Sequence, residues 1–197
     1  LTFLEISKNC LNNNNKKILE LLEYFKPDRL INFAAETHVD DSISKSDVFI
    51  KTNILGIHSL LKASIDYVKK QKKNNKFIFH QISTDEVFGS LKLEENEKKF
   101  NEGSLYNPSS PYSSSKASAD HLLKSWSKTY DLNYNITYCS NNYGPFQHPS
   151  KFIPTVIIRN ILERNVPIFG DGMNVRDWLY VEDHAKALLK IIKFNKV

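Results

Sequence analysis

Short apolar runs alternate along this chain with longer segments whose apolar residues recur at helical spacing. Strands separated by helices of such length pair in parallel through crossover helices, so the alternation predicts an α/β fold with a doubly wound parallel sheet. Pro27 should end the first helix, Asp47 should cap the second, and residues 90–110 should form a loop. The predicted strands are 29–35, 77–82 and 134–139, and the predicted helices are 18–25, 47–68, 112–130, 153–164 and 182–194.

Composition excludes several other classes of protein. The chain has 197 residues, of which 41% are hydrophobic, so it can bury a sizeable core and is not disordered as a whole. Its net charge of +5 is modest, and the lysines within 69–76 lack interleaved aromatic residues. We therefore interpret them as the solvated end of a helix, and we expect no nucleic-acid partner. No apolar run reaches about 18 residues and no secretion signal is visible, so no membrane partner is expected. Cys10 and Cys139 cannot form a disulfide framework, which favours the cytoplasm.

Tyr112 and Lys116 stand four residues apart in a predicted helix, so their side chains share one face. A cation beside a phenol lowers the phenol's pKa from about 10, which lets a tyrosine act as a base near neutrality. The pair alone is weak evidence, because an ordinary surface pair has the same spacing.

The segment Ser-Thr-Asp-Glu at 83–86 follows the predicted strand 77–82 and strengthens this interpretation. Ligands of open α/β sheets bind at the carboxyl ends of the strands, where Thr84, Asp85 and Glu86 should emerge. Two adjacent acids beside a tyrosine base can remove one proton and donate another. The alternative for the acids is a solvated turn or a helix cap.

Six strings of the sequence carry a resemblance to a known family. They are INFAAETHVDDSI at 31–43, TNILG at 52–56, STDEVFG at 83–89, NPSSPYSSSKASADHL at 107–122, CSNNYGPFQHP at 139–149 and RDWLYVEDHAKAL at 176–188. Together they resemble the dTDP-glucose 4,6-dehydratases, which belong to the extended short-chain dehydrogenase/reductase family. Nucleotide-sugar epimerases share the Tyr/Lys pair but lack the paired acids, so Asp85 and Glu86 favour the dehydratases.

The resemblance implies a Rossmann-like fold, NAD as cofactor and dTDP-glucose as substrate. Tyr112, supported by Lys116, would take the proton of the sugar 4-hydroxyl while hydride leaves C4, and Thr84 would hydrogen-bond the same oxygen. Glu86 would then remove the C5 proton while Asp85 protonates the departing 6-hydroxyl. Hydride would return to C6, leaving dTDP-4-keto-6-deoxyglucose, so the resemblance implies a lyase of deoxysugar biosynthesis.

The resemblance also implies binding positions. The cofactor would contact Phe33, Ala34, Ala35, Glu36, Thr37, Thr52, Tyr112, Lys116 and Asn142. The nucleotide sugar would contact Thr37, Thr84, Asp85, Glu86, Asn141, Lys151, Phe152, Pro167, Ile168, Phe169 and Arg176. A guanidinium can bind pyrophosphate through two parallel hydrogen bonds, which makes Arg176 the strongest of these, with a structural salt bridge as its alternative. The histidines show no metal-ligand spacing, so no metal is expected.

Some features depart from the family pattern. Phe88 and Phe169 stand where the family usually has Tyr. None of the six glycines forms a Gly-rich phosphate loop, so we expect that loop and its strand and helix to precede Leu1. We expect 1–145 to be a partial NAD-binding domain with the catalytic centre, and 146–197 to begin a substrate domain and include a returning strand and helix. The complete protein would be a homodimer.

Two other functions stay open on the sequence alone. One is a non-catalytic binding or interaction module built from a truncated dehydratase fold. The other is a different nucleotide-sugar dehydratase or an epimerase. The isolated 197 residues are expected to be inactive.

Overall fold

The computed structural model describes residues 15–71, 76–91, 99–168 and 170–194. These residues belong to two compact units that divide after Tyr138. No helix within the described ranges is long and apolar enough to cross a membrane.

The first unit contains a three-stranded sheet in the order β1-β2-β3, with β2 in the centre. Strands β1 and β2 are parallel, and Arg29 lies opposite Ile78. The predicted α/β class with a parallel sheet is confirmed. Its strands are β1 (Arg29–Asn32), β2 (Ile78–Thr84) and β3 (Tyr134–Cys139), and its helices are α1 (Asn15–Phe25), α2 (Val39–Ser44), α3 (Ser46–Phe49), a π-helical segment (Ile50–Leu55), α4 (Gly56–Lys70), a 3-10 turn (Asp85–Phe88) and α5 (Pro111–Tyr130).

The core of this unit forms where helices cover the sheet. Every residue of β2 is buried, as expected for the central strand of a parallel sheet. Ile18 and Leu22 of α1, Leu61 of α4 and Leu123 of α5 join Phe79 of β2 in one apolar cluster. The helical spacing of these apolar residues is therefore explained by their burial in one shared core.

Two predictions about element boundaries in this unit are wrong. Strand β1 ends at Asn32 rather than at residue 35, and the Asn32 side-chain oxygen accepts the Ala34 N–H at 3.2 Å. Such a local bond gives the backbone an alternative to the strand ladder. The predicted helix 47–68 is divided into α3, the π-helical segment and α4, and its first cap is Lys45. Asp47 instead lies in the first turn of α3, where its charge suits the helix dipole.

The second unit contains β4 (Asn141–Tyr143), α6 (Phe152–Ile161), β5 (Trp178–Tyr180) and α7 (Val181–Phe194). Strands β4 and β5 pair in parallel, and α7 packs against both. The sequence reasoning assigned no strand to β4. Three residues are too few to show the alternation by which a strand is recognised.

Candidate active site

The turn after β2 holds the two candidate acids. The Thr84 hydroxyl accepts the Glu86 backbone N–H at 3.3 Å and donates to Asp85 Oδ1 at 3.2 Å. Thr84 is buried, whereas Asp85 and Glu86 are half-buried. The two acids are therefore partly exposed in a turn, and the cap of that turn is supplied by Thr84 rather than by an acid.

The other end of this turn is fixed by Gly89 and Phe88. Gly89 has φ +92°, and a Cβ there would lie 2.5 Å from the Asn107 carbonyl oxygen, so only glycine fits without strain. Phe88 is buried against the rings of Phe100, Tyr106 and Tyr138. The apolar replacement at position 88 suits this aromatic cluster. The acids thus lie between a capped start and an anchored end.

The start of α5 fixes the position of the candidate base. Ser110 accepts the Ser113 N–H at 3.0 Å, and Ser113 Oγ accepts the Ser110 N–H at 3.0 Å, which is a capping box with Pro111 at the first helical position. Tyr112 is 8% exposed and Lys116 is 4% exposed. An ordinary surface pair is therefore excluded.

Lys116 joins α5 to β2. Its Nζ donates to the Ile82 carbonyl at 2.6 Å, two residues before Thr84. Because a buried ammonium needs such a partner, this bond helps to hold the charge in the protein interior. The Tyr112 ring packs edge to face on Phe49, with 6.4 Å between ring centroids. The helix that carries Tyr112 is therefore tied to the strand that carries Thr84.

Asn53, in the π-helical segment, links the loop after β1 to α5. Its side chain accepts the Glu36 N–H at 2.9 Å and donates to the Glu36 carbonyl at 3.0 Å and to Ser115 Oγ at 2.8 Å. The Ser115 hydroxyl in turn donates to the Tyr112 carbonyl at 2.7 Å. Sequence reasoning selected the neighbouring Thr52 and missed Asn53, although both stand in the TNILG string.

A second missed group surrounds Asp120 of α5, which is 0% exposed. Asp120 Oδ2 accepts from Ser83 Oγ at 2.5 Å and from the Tyr106 hydroxyl at 3.1 Å. Tyr106 also contacts the Tyr138 hydroxyl at 2.7 Å and accepts from Lys124 Nζ at 3.1 Å. Burial raises the pKa of Asp120, opposed by the Ser83 hydrogen bond and by nearby lysine charges, and burial also raises the pKa of both tyrosines.

The candidate cofactor residues 33–37 follow β1 and leave the sheet at the same edge as Thr84, because β1 and β2 are parallel. Phe33 is 62% exposed and Thr37 is exposed, whereas Ala34 and Ala35 are half-buried. Ala34 and Ala35 have small side chains, and Asn53 holds the Glu36 backbone through its N–H and its carbonyl. The residues present therefore fit a dinucleotide at this edge, with Tyr112 and Lys116 as the polar groups.

The remaining candidates lie in the second unit. Asn142 Oδ1 accepts from His184 Nδ1 at 2.8 Å, and its Nδ2 donates to the Ser140 carbonyl at 3.1 Å. Phe152 is 64% exposed and stacks on Trp178, with 6.2 Å between ring centroids. Arg176 is exposed and donates to the Val175 carbonyl at 2.8 Å. Asn141 begins β4, Lys151 caps α6, Pro167 and Ile168 are exposed, and Phe169 lies outside the described residues.

The parallel sheet, the polar groups at the end of β2 and the buried Tyr/Lys pair define a Rossmann-like protein of the extended short-chain dehydrogenase/reductase class. A family model described as GDP-mannose 4,6 dehydratase matches residues 9–197, and the chain belongs to that family.

Its curated relatives confirm the resemblance predicted from the sequence. The dTDP-glucose 4,6-dehydratase of Salmonella typhimurium is 45% identical over 192 residues, which are 93% of this chain and 53% of that protein. The dTDP-glucose 4,6-dehydratase 1 of Escherichia coli K12 is 48% identical over 179 residues, which are 87% of this chain and 50% of that protein. The chain thus spans about half the length of the curated relatives it matches.

Solved structures agree with this family. The dTDP-glucose 4,6-dehydratase of Streptomyces venezuelae with NAD and TYD bound is similar with a TM-score of 0.81 and 35% identity, covering 91% of this chain and 52% of that one. The UDP-glucuronic acid 4-epimerase of Bacillus cereus, in complex with UDP-glucuronic acid and NAD, has a TM-score of 0.82 and 26% identity. The match covers 99% of this chain and 56% of that one.

Proposed function

We propose that the whole protein converts dTDP-glucose to dTDP-4-keto-6-deoxyglucose with NAD as cofactor. The observation that carries this proposal is the bond between Lys116 and Ile82, which ties the buried Tyr112 helix to the turn bearing Asp85 and Glu86. The names of the curated relatives support the same substrate. An epimerase needs a base such as Tyr112 but has no use for two acids on one turn.

The first stage is the oxidation of C4, in which Tyr112 removes the proton of the 4-hydroxyl. The Lys116 charge stabilises the phenolate, and the Thr84 hydroxyl hydrogen-bonds the same sugar oxygen. NAD, when bound, supplies the redox chemistry by accepting a hydride from C4 and returning it later to C6. The residues that would hold it are Phe33, Ala34, Ala35, Glu36, Thr37, Thr52, Tyr112, Lys116 and Asn142.

The second stage is the loss of water. A ketone at C4 acidifies the C5 hydrogen, which Glu86 removes as a proton while Asp85 donates a proton to the departing 6-hydroxyl. Glu86 then returns its proton to C5 as hydride reaches C6. The cycle closes when Tyr112 releases the proton of the 4-hydroxyl to solvent and Asp85 takes one up, so the net change is the loss of one water. Each acid has one role, which explains why two are present.

The nucleotide part of the substrate would contact the second unit. We assign it to Asn141, Lys151, Phe152, Pro167, Ile168, Phe169 and Arg176. The exposed Phe152 ring, supported by its stack on Trp178, offers an aromatic face, and Arg176 offers a guanidinium to the pyrophosphate. We propose residues 1–145 as the cofactor and catalytic part and 146–197 as the start of the substrate part. The two widely separated cysteines favour a cytoplasmic setting, and the complete protein would act as a homodimer.

A product assay tests the proposal. The whole protein is incubated with dTDP-glucose and catalytic NAD+, and the sugar is analysed by mass spectrometry. We expect the loss of one water without net formation of NADH. Stoichiometric release of NADH, or a 4-epimerised sugar as the main product, would contradict the proposal. UDP-glucose and GDP-mannose serve as competing substrates.

A matched pair of variants assigns the base. Tyr112→Phe keeps the buried ring and removes the hydroxyl, so we expect kcat to fall about 10²- to 10⁴-fold, the usual contribution of a general base. Tyr24→Phe makes the same change at a residue that is 80% exposed and should leave kcat unchanged.

A further inference from the structure

Asp120 is a buried carboxylate that the proposed reaction does not use. It lies four residues after Lys116 on the same face of α5, and it is 0% exposed. Its Oδ2 accepts from Ser83 Oγ of β2 at 2.5 Å. A buried carboxylate costs free energy unless its partners compensate for the loss of water, so this position calls for an explanation.

The bonds of Asp120 and Lys116 to β2 follow a regular register. Lys116 binds the carbonyl of Ile82 at 2.6 Å, and Asp120 binds the hydroxyl of Ser83 at 2.5 Å. Successive turns of α5 are thus tied to successive residues of β2. The next residue of the strand is Thr84, which caps the turn of the two acids. Sliding α5 along β2 would break both bonds together.

Tyr106 keeps the carboxylate in place from the other side. Its hydroxyl donates to the same Oδ2 at 3.1 Å, and Lys124 Nζ lies 4.4 Å from the centre of its ring. Asp120 Oδ1 has no hydrogen-bond partner within the described part of the chain. An asparagine could therefore accept from both Ser83 and Tyr106 through its single side-chain carbonyl oxygen.

We propose that Asp120 is a positioning residue that acts through Ser83 to hold the helix of Tyr112 in register with the strand of Thr84. This inference rests on the proposed function. Its physical basis is that a reacting group displaced by about 1 Å can slow a reaction about 100-fold. The loss of one of the two register bonds should therefore lower turnover while leaving the binding surfaces unchanged.

The test compares four variants by kcat, by KM for dTDP-glucose and by thermal unfolding. Asp120→Ala and Ser83→Ala should each lower kcat at least roughly tenfold, with KM changed by less than about twofold. The double variant should be no slower than the worse single one, because both changes break the same bond. Asp120→Asn keeps the acceptor oxygen and should restore kcat to within about threefold of wild type.

Ser59→Ala is the matched control for Ser83→Ala. Ser59 is also buried, but its hydroxyl donates to the Leu55 carbonyl within its own helical region, so its removal should not change kcat. If Asp120→Ala does not fold, Ser83→Ala alone decides, since it removes one hydroxyl from a small side chain.

Several results would overturn the inference. They are wild-type kcat in Ser83→Ala, additive losses in the double variant, or an Asp120→Asn variant as slow as Asp120→Ala. All variants are made in the whole protein, and its wild-type form is assayed first. If it forms no 4-keto-6-deoxy product, the proposed function fails, whereas an active wild type with an unaffected Ser83→Ala contradicts the positioning role alone.

Discussion

The two adjacent acids contact the Thr84 hydroxyl in different ways, Asp85 through its side chain and Glu86 through its backbone. The side chain of Asp85 accepts the Thr84 hydroxyl at 3.2 Å, whereas the backbone N–H of Glu86 donates to that same oxygen at 3.3 Å. A substitution of the Glu86 side chain therefore leaves the cap of the turn intact. The two proposed proton transfers can be separated by experiment for this reason.

Glu86→Gln should uncouple oxidation from the loss of water. A glutamine cannot take the C5 proton, whereas the Tyr112 and Lys116 pair that serves C4 is unchanged. We expect reduced nicotinamide to form in a single turnover and overall dehydration to fall about 10²- to 10⁴-fold. Absorbance of the reduced nicotinamide and mass spectrometry of the sugar measure the two steps.

The control for this prediction is Glu102→Gln in the exposed loop before α5, which should behave as wild type. An equal loss of both steps in a correctly folded Glu86→Gln protein would mean that Glu86 is not the C5 base.

His80 makes stability depend on pH. Its ring is fully buried, and burial, assisted by the Arg29 charge, lowers the pKa from 6.5 to about 4. The folded protein thus binds the proton less readily than the unfolded chain does. The contribution of neutral His80 to the free energy of unfolding is fully present above pH 6.5. It is lost as the pH falls towards 4, by about 3 kcal/mol in total.

His80→Gln should remove this part of the pH dependence. Urea unfolding at pH 7, 5.5 and 4 measures the free energy of unfolding, and the wild type should lose about 3 kcal/mol more than the variant over this range. His148→Gln, at an exposed position, should follow the wild type. Parallel curves for wild type and His80→Gln would exclude His80 as the source.

Among the elements, those with a clear apolar period were predictable. Helices α1, α5 and α7 and strand β3 lie close to their predicted positions because their patterns span enough residues. The division of residues 46–70 into three helical segments was missed, because a π-helical stretch has no distinct apolar pattern. Asn53 and Asp120 were missed because their partners lie 62 and 37 residues away in the sequence. Local spacing predicted the Tyr112 and Lys116 pair, and only the fold supplies such distant contacts.

The turn after β2 depends on its glycine. Gly89→Ala places a Cβ 2.5 Å from the Asn107 carbonyl oxygen at φ +92°, so we expect the free energy of unfolding to fall by about 2 kcal/mol. The displaced turn should also lower kcat, because it carries Asp85 and Glu86. Urea unfolding and the product assay measure these effects.

Gly103→Ala is the matched control. A Cβ there approaches the Asn101 side-chain oxygen at 3.3 Å, which can move, so the change should stay within about 0.5 kcal/mol. A Gly89→Ala protein as stable as Gly103→Ala would show that the turn adapts without strain.

At the scale of the whole molecule, the two units differ in how fully they bury their apolar side chains. The first unit has an extended apolar core, whereas α6 of the second unit buries none of its described residues. Exposed apolar side chains of this helix include Ile157 and Ile161. The catalytic residues proposed in the first unit therefore lie beside a well-packed core. The substrate contacts proposed in the second unit lie beside a helix whose described residues are not buried.

The 197 residues by themselves should bind NAD+ weakly and should show negligible turnover. None of the six glycines forms a Gly-rich phosphate loop, and such a loop supplies the backbone donors that hold a pyrophosphate. Isothermal titration with NAD+ and the product assay on the purified chain check this. Tight binding with sustained turnover would defeat the prediction.

The partner of Lys116 is a carbonyl of the main chain, and every amino acid has one. Substitutions at position 82 can change the side chain without removing this acceptor, provided that β2 still forms. The hold on the ammonium is therefore robust to genetic drift at position 82, unlike a salt bridge, which a single substitution in the partner abolishes. Selection on this contact acts on one codon, that of the lysine.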